Sequence, residues 1–359
     1  MKIGFDISQT CESKAGCGFY ADQIVQALAR VDHENEYILL PWFYDYRPRT
    51  FHHATKIKSS NFSVRMIKNF TEEELEDLDI IYSNNFRFPK NTKAKKIVTI
   101  YDVGFMDNPD FTTEANRTFC YQGTLDSVLF ADVIIAISNY TKERLLHFFP
   151  MVNPDKIIVL HCGNRDALLK EKEKDEVLKK HGLIKNDYYL SVGTIEPRKN
   201  YLTLLKAYAA YKEGKSTYKK LCIAGGYGWM EEQFEDNIKQ LGLEKDVVVT
   251  GYVSDEELAN LYRNMFTFIY PTWYEGFGLP VLEAMNFKKP VIVSNVTSIP
   301  EITGEAAILI DPNHFEEITM GMDRLENDEE LYNSLVKDGF ERTKLFSWDM
   351  VAKKIVNLY

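Results

Sequence analysis

The sequence predicts an α/β protein made of two doubly wound domains in series, each a mostly parallel sheet covered by helices. Three observations point there. Short apolar strands alternate with helical patterns in two separate series, one from Lys2 to Leu160 and one from Tyr188 onward. Such alternation makes parallel sheets, because every crossover returns over the sheet face. A strongly charged stretch after Gly163-Asn164-Arg165 divides the two series, and glycine-rich segments follow several strands, at the end of an open sheet where ligands bind. At 359 residues and 45% hydrophobic content, the chain is long enough for two cores.

The first series opens with the strand Lys2 to Ile7, a Gly16-Cys17-Gly18 turn and a periodic helix from Tyr20 to Ala29. Further strands fit Tyr37 to Leu40, Asp79 to Ser83, Lys96 to Tyr101, Asp132 to Ile137 and Lys156 to Leu160, with helices at Thr113 to Phe130 and Asn139 to Phe148. A charged helix, Leu168 to His181, leads into the second series. Its strands fit Tyr188 to Val192, Lys220 to Ala224, Val247 to Thr250, Phe266 to Tyr270, Val291 to Ser294 and Ala307 to Ile310. Ser254-Asp255-Glu256-Glu257 reads as a capping box that starts one of the intervening helices. The domain boundary falls between positions 165 and 166, and the ligand is expected in a central cleft faced by the carboxyl ends of both sets of strands.

Composition excludes several function classes. The net charge of −10 argues against nucleic-acid binding, which needs a basic footprint. No apolar h-region follows Met1-Lys2 and no run of 18 apolar residues occurs, so the expectation is a cytoplasmic protein without leader or membrane span. Five scattered cysteines read as reduced packing residues, and seven histidines form no ligand pair, so neither a metal nor another cofactor is expected. Tyr46 to Phe70 breaks the acidic trend. It holds Arg47, Arg49, Lys56, Lys58, Arg65 and Lys68 with Phe51, Phe62, Met66 and Phe70, and no acidic residue. This segment fits either peripheral contact with anionic lipid at the inner face of the membrane, including a phosphorylated lipid acceptor, or a solvated loop and helix.

The most informative motif is Pro271 to Met285. Glu275, Gly276, Phe277, Gly278 and Leu279 form a glycine loop, Pro280 suits a first helical turn, and Glu283 follows about one turn into the helix. Unpaired amides and the helix dipole there attract an anion such as a sugar diphosphate. Glu275 and Glu283 would touch different parts of one extended ligand rather than flank a single glycosidic bond. In Gly193-Thr194-Ile195-Glu196-Pro197-Arg198-Lys199-Asn200, two cations stand at a helix N-terminus, where the dipole disfavours each by about 0.3–1 kcal/mol. A bound diphosphate reverses that sign, with Arg198 gripping in a fork and Lys199 acting as a point charge. Gly16 and Gly18 would bring backbone to the same phosphates, although Ala21 stands where a full dinucleotide fingerprint has glycine. Gly225, Tyr252 and Val253 end two further strands, where backbone can line a base pocket. Asp77-Leu78-Asp79 is set aside as a metal-diphosphate motif, because it precedes its strand.

With these residues in view, the chain resembles the retaining GT-B glycosyltransferases of family 4, a group rich in bacterial polysaccharide mannosyl-, glucosyl- and rhamnosyltransferases. The likeness spans the chain. Its most specific part is the Glu-x7-Glu signature at Glu275 and Glu283, followed by Gly193 to Asn200. The resemblance implies two Rossmann-like domains facing a central cleft: an acceptor-binding domain, 1–165, a nucleotide-sugar domain, 166–346, and a last helix, 347–359, crossing back to the first. It further implies Arg198 and Lys199 on the donor diphosphate, Glu283 on the ribose, and Glu275 with the amides of Phe277, Gly278 and Leu279 on the transferred sugar. The acceptor is a glycan or lipid-linked saccharide, and metal is usually dispensable. Tyr101-Asp102 stands where many relatives have His-Asp, and the family's Pro-Asn-Gly is replaced by His161-Cys162-Gly163. Tyrosine donates a hydrogen bond but is no base near neutral pH. GDP-mannose is the first expected donor, with UDP-glucose or a dTDP-sugar as alternatives. A dinucleotide-dependent oxidoreductase and a non-catalytic glycan- or nucleotide-binding relative are the rival functions.

Overall fold

Every strand pairing among the described residues is parallel, as the strand–helix alternation requires. The computed structural model describes residues 1–12, 16–84, 86–228 and 233–359. The chain divides into two units, Met1–Gly163 with Phe346–Tyr359, and Asn164–Leu345.

In the first unit the strands β1 (Lys2–Asp6), β2 (Glu36–Leu40), β3 (Phe62–Val64), β4 (Ile80–Ser83), β5 (Lys95–Ile100), β6 (Val133–Ala136) and β7 (Ile157–Val159) lie in the order β3-β2-β1-β4-β5-β6-β7. The order reverses beside β1, which makes the β1/β4 boundary a switch point. Asp6 ends β1 and ties that boundary: it accepts from the Ser8 amide and hydroxyl at 2.9 and 2.6 Å and from the Asn84 amide at 3.1 Å. The helices are α1 (Cys17–Val31), α2 (Glu72–Leu75), α3 (Gly104–Asp107), α4 (Glu114–Phe130) and α5 (Asn139–Phe148). Thr113 caps α4 and Ser138 caps α5 through their side chains, so both helices start where their sequence allows. Helix α1 starts earlier than its periodicity suggested, so Gly18 lies in its first turn and Gly16 alone, at φ 51°, makes the entry.

The basic segment 46–70 departs from the loop-and-helix reading. It contains no helix; Phe62–Val64 is the edge strand β3, with Phe62 stacked on Tyr37 at 4.6 Å. Phe70 is buried, and Arg65 is held by Asp77 at 2.8 and 2.9 Å. Asp77 also takes Lys2 at 2.9 Å, and the pairing holds its carboxyl well below the usual range.

The second unit begins with α6 (Asp175–Lys180), and its strands β8 (Tyr188–Val192), β9 (Lys220–Ala224), β10 (Val247–Gly251), β11 (Thr267–Tyr270), β12 (Val291–Ser294) and β13 (Ile308–Ile310) take the order β10-β9-β8-β11-β12-β13. Its switch point lies between β8 and β11, the two strands that lead into the Arg198 and Glu275 segments. Helices α7 (Tyr201–Lys212), α8 (Phe234–Gln240), α9 (Asp255–Asn264), α10 (Leu279–Asn286), α11 (Ile299–Thr303), α12 (Phe315–Asn327) and α13 (Glu329–Thr343) complete it. Ser254 makes the expected capping box on α9 with Glu257. The expected helix from Leu168 to His181 is instead a 3-10 turn, Leu168–Lys170, and the short α6. Asn260 of α9 is the reason: its Nδ2 donates to the Lys172 carbonyl at 3.0 Å and its Oδ1 accepts from the Lys174 amide at 2.7 Å, replacing helical bonds with lateral ones.

From α13 the chain returns to the first unit as α14 (Trp348–Val356). Trp348 is buried edge-on against Tyr20 of α1 at 5.4 Å, and Asp349 pairs with Arg30 at 2.6 Å.

Candidate active site

Arg198 and Lys199 sit on a 3-10 turn, Pro197–Lys199, between the end of β8 and α7. Proline presets the first residue of the turn, and Asn200 closes it in the left-handed region at φ 59°, where asparagine is tolerated best after glycine. The Asn200 side chain donates to the carbonyls of Pro271 and Pro312 at 2.9 and 2.7 Å. The Arg198 carbonyl accepts from the Trp273 amide at 2.8 Å and the Thr272 hydroxyl at 2.9 Å. The loops after β8 and β11 are thus fastened to each other, which fixes the charged side chains they carry.

Those side chains form one cluster. Arg198 Nη1 donates to Glu275 Oε1 at 2.9 Å and to the Tyr274 carbonyl at 3.1 Å, while its Nε lies 2.5 Å from Glu196 Oε1. Lys199 Nζ donates to Glu275 Oε1 and to the Tyr270 hydroxyl, both at 2.5 Å. Tyr270 donates in turn to Glu275 Oε1 at 2.8 Å, and Thr272 does so at 3.3 Å. Every bond to this carboxylate from the described residues reaches the same oxygen, leaving Oε2 for a ligand. Lys199 is only 6% exposed, so it is no solvated surface cation. Burial pushes the Glu275 carboxyl up, but Arg198 and Lys199 outweigh it and hold it down at about 2. Burial raises the Glu196 carboxyl despite its arginine partner, and burial with the Arg198 charge lowers the Lys199 ammonium. Two cations and two carboxylates therefore balance here.

The glycine loop turns from this cluster into α10. Gly278 has φ 110°, and a Cβ on it would lie 2.6 Å from Ile299 Cδ1, so both conformation and space demand glycine. Ser298 donates to the carbonyls of Glu275 and Phe277 at 2.9 and 2.8 Å, and the Glu275 amide donates to Thr297 Oγ1 at 3.3 Å. The amides of Gly276, Gly278 and Leu279 donate to no acceptor among the described residues. They cluster at the N-terminus of α10, an arrangement suited to an anion. Glu283, buried on α10, accepts from the Tyr262 hydroxyl at 2.9 Å and lies 3.7 Å from Arg165 Nη1. Burial raises its carboxyl, partly offset by Arg165. Arg165 also donates to Asp255 at 2.6 Å.

Gly193, Gly225 and Gly251 terminate β8, β9 and β10 side by side. A Cβ on Gly225 would stand 1.9 Å from the Gly193 carbonyl oxygen, so the strand ends meet only because that position is bare. Tyr252 and Val253 follow, with Tyr252 strongly exposed. In the first unit, Tyr101 is buried against Tyr20, ring centroids 5.2 Å apart, and its hydroxyl donates to the Cys17 carbonyl at 3.5 Å. Its hydroxyl is thereby directed to the first turn of α1. Asp102 accepts from the Gly104 amide at 2.9 Å and so starts α3.

Sequence reading singled out Arg198, Lys199, Glu275 and Glu283 but not the groups that hold them. Glu196 carries no functional signal in its motif, Arg165 marks only the domain boundary, and Tyr262 and Tyr270 do not read as site residues. The two tyrosines sit in apolar patterns, where an aromatic residue gives no functional signal until its hydroxyl partner is seen. Among the described residues no group of three or more His, Cys, Asp or Glu side chains is placed to hold a metal ion, and no helix is long and apolar enough to cross a membrane.

The family model Glycosyl transferases group 1 matches residues 173–342, within the second unit. The chain is 31% identical over 284 residues to O-antigen chain mannosyltransferase B of Escherichia coli, covering 78% of this chain and 74% of that protein. It is 27% identical over 270 residues to the serotype-specific mannosyltransferase WbdA of Escherichia coli, covering 73% of this chain but 33% of that longer protein. Sucrose-phosphate synthase from Thermosynechococcus elongatus has a similar fold: its TM-score is 0.77 at 19% identity, over 100% of this chain and 98% of that one.

Proposed function

We propose, for a chain that belongs to the group 1 glycosyl transferases and is a glycosyltransferase of the two-domain GT-B fold, that it moves a hexose from a nucleoside-diphosphate sugar to a hydroxyl of a glycan or lipid-linked saccharide in cell-surface polysaccharide synthesis. The observation that carries the reading is the buried Arg198–Lys199–Glu275 cluster beside the amides of Gly276, Gly278 and Leu279. Two cations there meet the negative charge that grows on a departing diphosphate, the kind of preorganised stabilisation that dominates many enzymic rate enhancements. The donor diphosphate takes Arg198 and Lys199, the ribose hydroxyls take Glu283, and the sugar takes Glu275 with the loop amides. Gly193 and Gly225, with Tyr252 and Val253, line the base. The donor is GDP-mannose, a choice supported by two relatives named mannosyltransferases.

The reaction retains anomeric configuration. The acceptor oxygen bonds to the anomeric carbon on the face from which the diphosphate leaves, the bond to the phosphate oxygen breaks, and the acceptor proton passes to that phosphate. No strong protein base is then required. The first unit binds the acceptor in this reading, with Asp102, Gly16 and Gly18 as its candidate site residues. Peripheral membrane contact through residues 46–70 is supported by the exposed Phe51, Val64 and Met66. Sedimentation with anionic vesicles tests that contact, and an equal failure to sediment with anionic and neutral vesicles would remove it.

The main test is donor hydrolysis in separate reactions with GDP-mannose, UDP-glucose, UDP-galactose and dTDP-rhamnose. GDP-mannose turnover, lost in Arg198→Ala, is the expected result. Turnover of another donor alone overturns the mannose assignment, and turnover unaffected by Arg198→Ala overturns the site.

A further inference from the structure

Each glutamate of the Glu-x7-Glu pair has its own buried tyrosine, and we infer that Tyr270 and Tyr262 are positioning residues: each locks one oxygen of a donor-facing carboxylate and so fixes how that carboxylate meets a ligand. Tyr270, the last residue of β11, donates to Glu275 Oε1 at 2.8 Å; Tyr262, on α9, donates to Glu283 Oε2 at 2.9 Å. They come from separate elements, and both are buried. This inference rests on the donor reading of the two glutamates.

Buried tyrosine hydroxyls need partners, so a bond alone proves little. The other tyrosines of this unit show what ordinary satisfaction looks like. Tyr188 donates to the Leu261 carbonyl at 2.6 Å, Tyr201 to that of Gly193 at 3.0 Å, and Tyr208 to that of Lys219 at 2.9 Å. Tyr189 and Tyr211 share the Glu326 carboxylate with Lys215 and Lys219, a set at the amino ends of the strands, away from the glycine loops. Tyr262 and Tyr270 alone among these donate to the two signature glutamates. Burial raises both hydroxyls well above their ordinary value, so each remains a donor across the working pH range.

The two positions are not equivalent. Tyr270 also accepts from Lys199 at 2.5 Å, so one oxygen joins the phosphate-facing cation to the sugar-facing carboxylate. Losing it disturbs two groups that must act together as the glycosidic phosphate bond breaks. The Tyr262 hydroxyl donates to the ribose-facing carboxylate and, among the described residues, bonds to no cation. A bond that matters equally before and during reaction changes binding; one that matters mainly in the transition state changes kcat.

The experiment compares wild type, Tyr270→Phe and Tyr262→Phe in GDP binding, in GDP-mannose turnover and in thermal unfolding. Tyr262→Phe is expected to weaken GDP about 3- to 10-fold and raise donor KM by the same factor, with the smaller part of its effect in kcat. Tyr270→Phe is expected to lower kcat roughly 10- to 100-fold while GDP affinity changes by less than about 3-fold. Loss of melting temperature with no such split, or variants that match wild type, overturns the inference. Wild type that binds GDP while both variants match it condemns the tyrosine assignment alone; wild type that binds no nucleoside diphosphate overturns the donor reading and this inference with it. If either phenylalanine variant fails to fold, the nitrogen-15 NMR titration of the Lys199 ammonium in wild type decides: a chemical shift unmoved by GDP is the contrary result for Tyr270.

Discussion

Replacing Lys199 with alanine isolates the charge balance of the Arg198–Lys199–Glu275 cluster. Its ammonium lies 2.5 Å from Glu275 Oε1 in a buried setting, where an effective dielectric near 20 gives an attraction of about 7 kcal/mol before desolvation is subtracted. Breaking a buried pair from one side costs about 3–5 kcal/mol, and Arg198 at 2.9 Å still compensates part of the carboxylate, so the lower figure of about 3 kcal/mol applies. Adding Glu275→Gln removes the stranded charge. The double variant is then expected to be less destabilised than the sum of the single ones by roughly 1–2 kcal/mol, because the residues touch. Urea unfolding of wild type, both single variants and the double variant reads that coupling, and donor hydrolysis on the same samples shows no recovery of activity. Additive effects within about 0.5 kcal/mol would refute the argument, as would a Lys199→Ala protein as stable as wild type.

Three other outcomes follow from the same geometry. Glu275 sits at about 2 in the folded protein against an ordinary 4.5, so its contribution to stability is full above about pH 4.5 and is lost as pH falls toward 2. The size is about 3 kcal/mol, and urea unfolding at pH 3 and pH 6 should show a smaller acid loss in Glu275→Gln than in wild type. Gly225→Ala places a methyl 1.9 Å from the Gly193 carbonyl oxygen, backbone against backbone, and should cost about 1–3 kcal/mol in thermal unfolding. Asn260→Ala removes the bonds at 3.0 and 2.7 Å that hold Lys172 and Lys174, and should cost about 1–3 kcal/mol with faster amide exchange at Lys174.

Strand periodicity and glycine punctuation made the two parallel sheets legible, because buried parallel strands read as short apolar runs between breakers. The edge strand Phe62–Val64 was not legible: half-buried Phe62 is followed by exposed Ser63 and Val64 in a basic stretch, without the alternation of a strand, and only its pairing with Tyr37 to Leu39 makes it one. The helix expected from Leu168 to His181 failed for a similar reason, since Asn260, distant in sequence, supplies the competing bonds. At the site, Arg198 and Lys199 stood out because cations at a helix start conflict with the dipole. Their meeting with Glu275 is a consequence of the β8/β11 switch point, which strand order reveals and composition does not. The roles of Glu196, Tyr262 and Tyr270 were not legible, because a buried carboxylate or hydroxyl declares its role only through the atom it faces.

The central claim is that Arg198 and Lys199 bind the diphosphate of the donor, and calorimetric titration with guanosine and with GDP tests it directly. Wild type is expected to bind GDP at least about tenfold more tightly than guanosine, as two charge-assisted contacts require, and Arg198→Ala/Lys199→Ala to lose that difference while its guanosine affinity stays close to wild type. A GDP preference that persists in the double variant, or wild type that binds both compounds equally, would contradict the account.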